Sequence, residues 1–128
     1  MKYLSIEEVL FIHDQAVKRF GGSFGIRDIG LLESALSRPQ ASFGGQDLYE
    51  TIFDKSAALM HSLLKNHPFI DGNKRTALAT VGIFLKINGY SLINNHKEEV
   101  VFTMSVETNS LSLEEIAAWL KKNTHHHI

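Results

Sequence analysis

His67-Pro68-Phe69-Ile70-Asp71-Gly72-Asn73-Lys74-Arg75 places a base, a hard oxygen ligand and a set of anion-binding donors in one turn. An unperturbed imidazole titrates at roughly 6.5, so a histidine such as His67 is suited to take a proton near neutral pH. Asp71 offers the kind of oxygen that magnesium accepts. Gly72 lets backbone amides approach a ligand closely, and Asn73, Lys74 and Arg75 bring donors and positive charge to the start of a helix. A plain helix break would account for Pro68 and Gly72, a cap for Asp71, and solvation for Lys74 and Arg75. Neither a cap nor a turn calls for His-Pro-Phe before it and Asn-Lys-Arg after it. Taken together the residues read as phosphate chemistry, because His67 in the turn and the three that open the helix can converge on its positive end.

The flanks of this turn set the fold. Upstream, Leu48, Ile52, Ala57, Leu59, Met60, Leu63 and Leu64 recur at helical spacing up to about Asn66, with Asp47 and Glu50 as the capping pair. The breadth of that apolar pattern marks the helix as central. Downstream, Ala77, Leu78, Val81, Phe84, Leu85 and Asn88 trace a second helix to Gly89. Ser5 with Glu8 opens an N-terminal helix that Gly21-Gly22 stops, and Asp28 caps a short one that Pro39 ends. Tyr90–Ile93 reads as a short extended piece. Asn95 or His96 starts a helix through Met104, and Ser112 with Glu115 caps the last. The expectation is an all-α, compact bundle of about six helices, with the active-site loop between the central helix and the next.

A chain of 128 residues lies near the usual domain size, so residues 1–128 are read as one domain. A formal charge of −1 argues against a general nucleic-acid or membrane surface, and no direct nucleic-acid binding is expected. No apolar run approaches the ~18 residues a membrane helix requires. There is no cysteine, which rules out disulfides and thiolate metal sites. The start turns acidic at Glu7-Glu8 before any apolar run develops, unlike a signal peptide, so a cytoplasmic location is expected.

The turn resembles the active-site signature of the Fic/Doc superfamily: His67, then Phe69, Asp71, the small Gly72, Asn73, Lys74 and Arg75, in order. His13-Asp14, the Gly21-Gly22 turn followed by Gly25-Ile26-Arg27-Asp28, Leu31–Leu36, Arg38-Pro39 and Thr76-Ala77-Leu78 are similar to the death-on-curing (Doc) toxin branch, so the likeness spans nearly the whole chain. It implies the Fido fold, with His67 as the general base for a protein hydroxyl. By the same resemblance Asp71 would hold Mg2+ on the phosphates of ATP, and Gly72, Asn73, Lys74 and Arg75 would form the anion hole, with Lys74 and Arg75 acting on the transferring group.

Two departures bear on the reaction. Fic adenylyltransferases are similar in this motif but carry glycine where Lys74 stands and a second arginine where Leu78 stands. Leu78 cannot hold a phosphate. Phosphoryl transfer to a protein hydroxyl is the first expectation, AMP transfer the second, and a non-catalytic helical module binding an acidic or phosphorylated partner the third. Many Fic proteins also carry an inhibitory helix with Ser or Thr, three variable residues, Glu, then Gly or Asn. No such run occurs here, Thr103 to Thr108 being the nearest, so nothing in the chain is expected to restrain the site. The resemblance implies instead a cognate antitoxin whose disordered tail folds on the toxin, and a translation elongation factor as the substrate class.

Several residues outside the turn carry competing readings. The loop holding Arg38, Pro39, Phe43, Gly44 and Gly45 stands where Fic-like proteins hold a substrate-docking flap, or is an ordinary surface loop. His13 either reaches the site or is a buried histidine with a partner. Arg27 and Asp28 either contact nucleotide or cap and pair with each other. Lys65 is expected in solvent, His61 and Trp119 in packing. No function is assigned to His125-His126-His127.

Overall fold

The Ser5 hydroxyl accepts from the Glu8 amide while the Glu8 carboxylate accepts from the Ser5 amide, and this reciprocal cap opens α1 (Ile6–Phe20). The computed structural model describes residues 1–127. Asp28 caps α2 (Ile29–Ser37), and Arg38–Gln40 continue it as a single 3-10 turn containing Pro39. A small antiparallel hairpin follows, β1 (Ser42–Phe43) with β2 (Gln46–Asp47), turning at Gly44-Gly45, both of which have positive φ. Next come α3 (Ile52–Asn66), the signature turn, and α4 (Asn73–Ile87). β3 (Tyr90–Leu92), α5 (His96–Glu107), α6 (Leu113–Lys122) and β4 (Thr124–His126) complete the described residues. The six α-helices match the expected all-α bundle.

α3 is the axis of the molecule, packed against α2, α4, α5 and α6. Ala57, Ala58, Leu59, Met60, Leu63 and Leu64 are all buried, so the helix is apolar on more than one face, as a core helix must be. Its start differs from the sequence expectation. Thr51 and Asp54 form the capping box, not Asp47 and Glu50. Both pairs have the same spacing, so local signals cannot separate them. The decision comes from Lys55, which is only 2% exposed and whose ammonium donates to the Pro39 carbonyl at 3.2 Å and to the Asp47 carboxylate at 3.1 Å. A buried charge without partners is costly, so Asp47 is held in the hairpin and Leu48 is left exposed.

Two further boundaries moved. α5 runs on to Glu107, past the expected end at Met104, because nothing before Asn109, with its left-handed φ of 62°, breaks the helix. Of the expected extended piece Tyr90–Ile93, Tyr90–Leu92 form β3, paired with Thr124–His126, where the His126 ring stacks on Tyr90 with centroids 4.4 Å apart. Trp119 stacks on Phe102. No helix among the described residues is long and apolar enough to cross a membrane.

Candidate active site

α3 ends at His67, which adopts φ 45° and ψ 59°, a left-handed conformation uncommon for residues other than glycine. Two residues on, the chain dives inward. Phe69 is 2% exposed and stacks face to face on the buried His13, with ring centroids 3.9 Å apart. The turn is closed by Asn73, whose Oδ1 accepts from the Phe69 amide at 3.0 Å and whose Nδ2 donates to the Phe69 carbonyl at 2.9 Å. Asn73 is therefore a clasp for the loop, and its side-chain amide is already occupied.

Asp71 is fixed from several directions. His13 Nε2 donates to its carbonyl at 2.7 Å, so the histidine is both buried and engaged with the site from beneath. The Asp71 carboxylate accepts from the Gly72 amide at 2.8 Å and from the Ser23 amide at 3.2 Å. This contact requires Gly22, because a Cβ there would lie 2.8 Å from Asp71 Oδ2. Gly72, with φ 76°, is the residue before α4, and no side chain caps that helix. Its N-terminus is thus an amide-lined, positively polarised end facing a cleft.

The cleft has a volume of about 630 Å³. His67 and Asp71 to Arg75 form one wall, Leu78 extends it along α4, and His96, Val100, Met104 and Glu107 of α5 form the other. Lys74 reaches across to Glu107, Nζ to Oε1 3.4 Å, with the lysine side chain 54% exposed. Glu107 lies in the Thr103–Thr108 stretch, so the chain does place one carboxylate on the expected anion cradle. Arg75 leans the other way: its guanidinium sits 4.5 Å from the centre of the Phe20 ring and donates to the Phe20 carbonyl at 3.4 Å. It also lines a smaller depression with Gly21, Gly22 and Asp71.

The structure thus brings His67, Asp71, Gly72, Asn73, Lys74 and Arg75 to one cleft. The residues read as a flap divide. Phe43, Gly44 and Gly45 form the exposed tip of the β1–β2 hairpin, whereas Pro39 is buried and Arg38 turns to α3, donating to Tyr49 Oη at 2.9 Å, to Ser62 Oγ at 2.9 Å and to His61 Nδ1 at 3.0 Å. None of the five lines the cleft. Burial and the neighbouring Arg38 and Lys65 charges push the His61 imidazole below its ordinary pKa. Lys65 is exposed and outside the cleft. Arg27 contacts neither the cleft nor Asp28: its guanidinium donates to the Asn66 and His67 carbonyls, and Asp28 accepts from the Leu31 amide. The α5 wall and the role of Arg27 carry no local sequence signal, since both depend on tertiary placement.

The chain belongs to the Fic/DOC family, whose model matches residues 3–85. Within that family it falls in the Doc toxin branch. It is 43% identical over 121 residues to a protein named Toxin Doc from Mycolicibacterium smegmatis (strain ATCC 700084 / mc(2)155), covering 93% of this chain and 91% of that one. It is 31% identical over 122 residues to Protein kinase doc of Escherichia phage P1, covering 95% of each.

Proposed function

We propose that residues 1–128 form a single catalytic domain, a Doc-type toxin that transfers a phosphoryl group from ATP to a hydroxyl of a target protein. The observation that carries this reading is the single cleft in which His67, Asp71 and the uncapped N-terminus of α4 meet, with Lys74 and Arg75 on its rim. The name Protein kinase doc, borne by the phage P1 relative, supports phosphoryl transfer. Leu78 does as well, since it gives the cleft an aliphatic wall where a second phosphate-holding arginine would be needed for AMP transfer.

The residues present fit magnesium and ATP. Each Asp71 oxygen accepts one amide, which leaves further lone pairs for a cation. A single carboxylate of this kind suits magnesium, an ion that takes one or two carboxylates and completes its shell with phosphates and water. When bound, magnesium and ATP supply the transferable group and neutralise charge on its phosphates. Everything else falls to the chain. The α4 amides with Lys74 and Arg75 hold phosphate oxygens, and the His67 imidazole takes the proton from the attacking hydroxyl. Between α1 and α4, Phe11, Phe20 and Ile83 are exposed above the buried Leu4 and Ile12 and leave an apolar groove uncovered. Such a face suits the folding segment of an inhibitory antitoxin. We take the substrate to be a translation elongation factor and the site of action to be the cytoplasm.

Titration with a fluorescent ATP analogue tests the reading. Binding should require magnesium and should be lost in Asp71→Ala; equal binding without metal, or in the variant, would favour a non-catalytic module.

A further inference from the structure

α3 points its C-terminus at the site, and its last carbonyls need partners where the chain leaves the helix. One residue, Arg27, takes three successive carbonyls there. Its Nη2 donates to the Asn66 carbonyl at 2.5 Å, its Nε to the His67 carbonyl at 2.7 Å, and its own amide to the Pro68 carbonyl at 2.7 Å. The Asp28 amide adds a second bond to Pro68 O at 3.1 Å, the Ile70 amide donates to Gly25 O at 3.2 Å, and Ile26 pairs with Phe69. The guanidinium also places positive charge at the negative end of α3. The left-handed backbone of His67 lies in the middle of this clamp. Conformations of that kind cost about 1–3 kcal/mol and persist only where surrounding contacts enforce them.

We infer that Arg27 is a positioning residue: by holding the Asn66 and His67 carbonyls it fixes the left-handed turn that aims the His67 imidazole into the cleft. This inference rests on His67 being the base of a transfer reaction. The anion cradle is held by other means, because Asn73 clasps Phe69 and because His13, Ser23 and Gly72 fix Asp71. Base and cradle therefore have separate supports. Loss of Arg27 should misplace the base and leave nucleotide binding in place.

The test compares wild type, Arg27→Met, Arg27→Lys and His67→Ala for steady-state transfer from ATP and for binding of a magnesium ATP analogue. Arg27→Met should lose about 10- to 100-fold in kcat, the range expected of a base displaced by about 1 Å, with KM and Kd for nucleotide within about threefold of wild type. Arg27→Lys keeps the charge but cannot fork across two carbonyls, so it should fall between. It also serves if Arg27→Met does not fold. An unchanged kcat in a folded variant would overturn the inference while leaving the reaction intact. So would a parallel loss of kcat and nucleotide affinity, which marks general loosening. If wild type transfers nothing while the analogue binds, the reaction itself is wrong and the inference falls with it.

Discussion

Asn73 and Lys74 stand side by side in the sequence, and each does something in the structure that its residue type alone does not announce. Asn73 reads as a phosphate donor, yet both ends of its amide are spent on the Phe69 backbone. Removing it strands a buried loop amide and carbonyl. Asn73→Ala should therefore lower stability by about 1–3 kcal/mol, a shift readable by denaturant titration. A variant as stable as wild type that binds nucleotide poorly would restore the donor role. Lys74 shares its charge with Glu107 at 3.4 Å, so an arriving phosphate must compete with that carboxylate. Glu107→Gln should tighten nucleotide binding by about two- to fivefold, the worth of a partly exposed ion pair. Weaker binding in that variant would mean that Glu107 helps to hold the ligand or the fold.

At the scale of the helix, the reliable signals in the sequence were reciprocal caps and breaks. Ser5 with Glu8 and Ser112 with Glu115 mark helix starts to the residue, and Gly21 and Gly89 mark ends. Where two equivalent caps lay close together, at Asp47/Glu50 and Thr51/Asp54, the choice was made by a buried ammonium eight residues away in sequence from Asp47, which no local rule can see. The turn itself was legible because its chemistry is compressed into adjacent positions. The opposite wall was not, since α5 meets the cleft only through packing. One element-scale consequence concerns pH. His61 on α3 accepts from Arg38, which requires an unprotonated Nδ1, and its pKa is depressed chiefly by burial, then by Arg38 and Lys65. A depressed histidine means that the unfolded chain binds the proton more readily. Stability is then full above the ordinary value of roughly 6.5 and declines as pH falls through it toward the lower folded value. Melting temperature should drop between about pH 7 and pH 5, and His61→Gln should flatten that slope. An unaltered slope would remove His61 from the account.

The whole molecule is a small helical bundle in which a single core helix delivers one turn to the surface, and the matching relatives align with its sequence over almost their full length. In the reaction we propose, the frame does not by itself decide which phosphorus of ATP is attacked. We take Lys74 on the cleft wall, with Leu78 beside it, to favour the terminal one. The most direct measurement is transfer from ATP labelled at either the γ- or the α-phosphate, incubated with magnesium and cell extract, with wild type and His67→Ala side by side. Phosphoryl transfer with His67 as the base predicts a labelled protein band from γ-labelled ATP only, absent with His67→Ala. A band from α-labelled ATP would show AMP transfer, and a band that survives in His67→Ala would show that His67 is not the base; either result would contradict it.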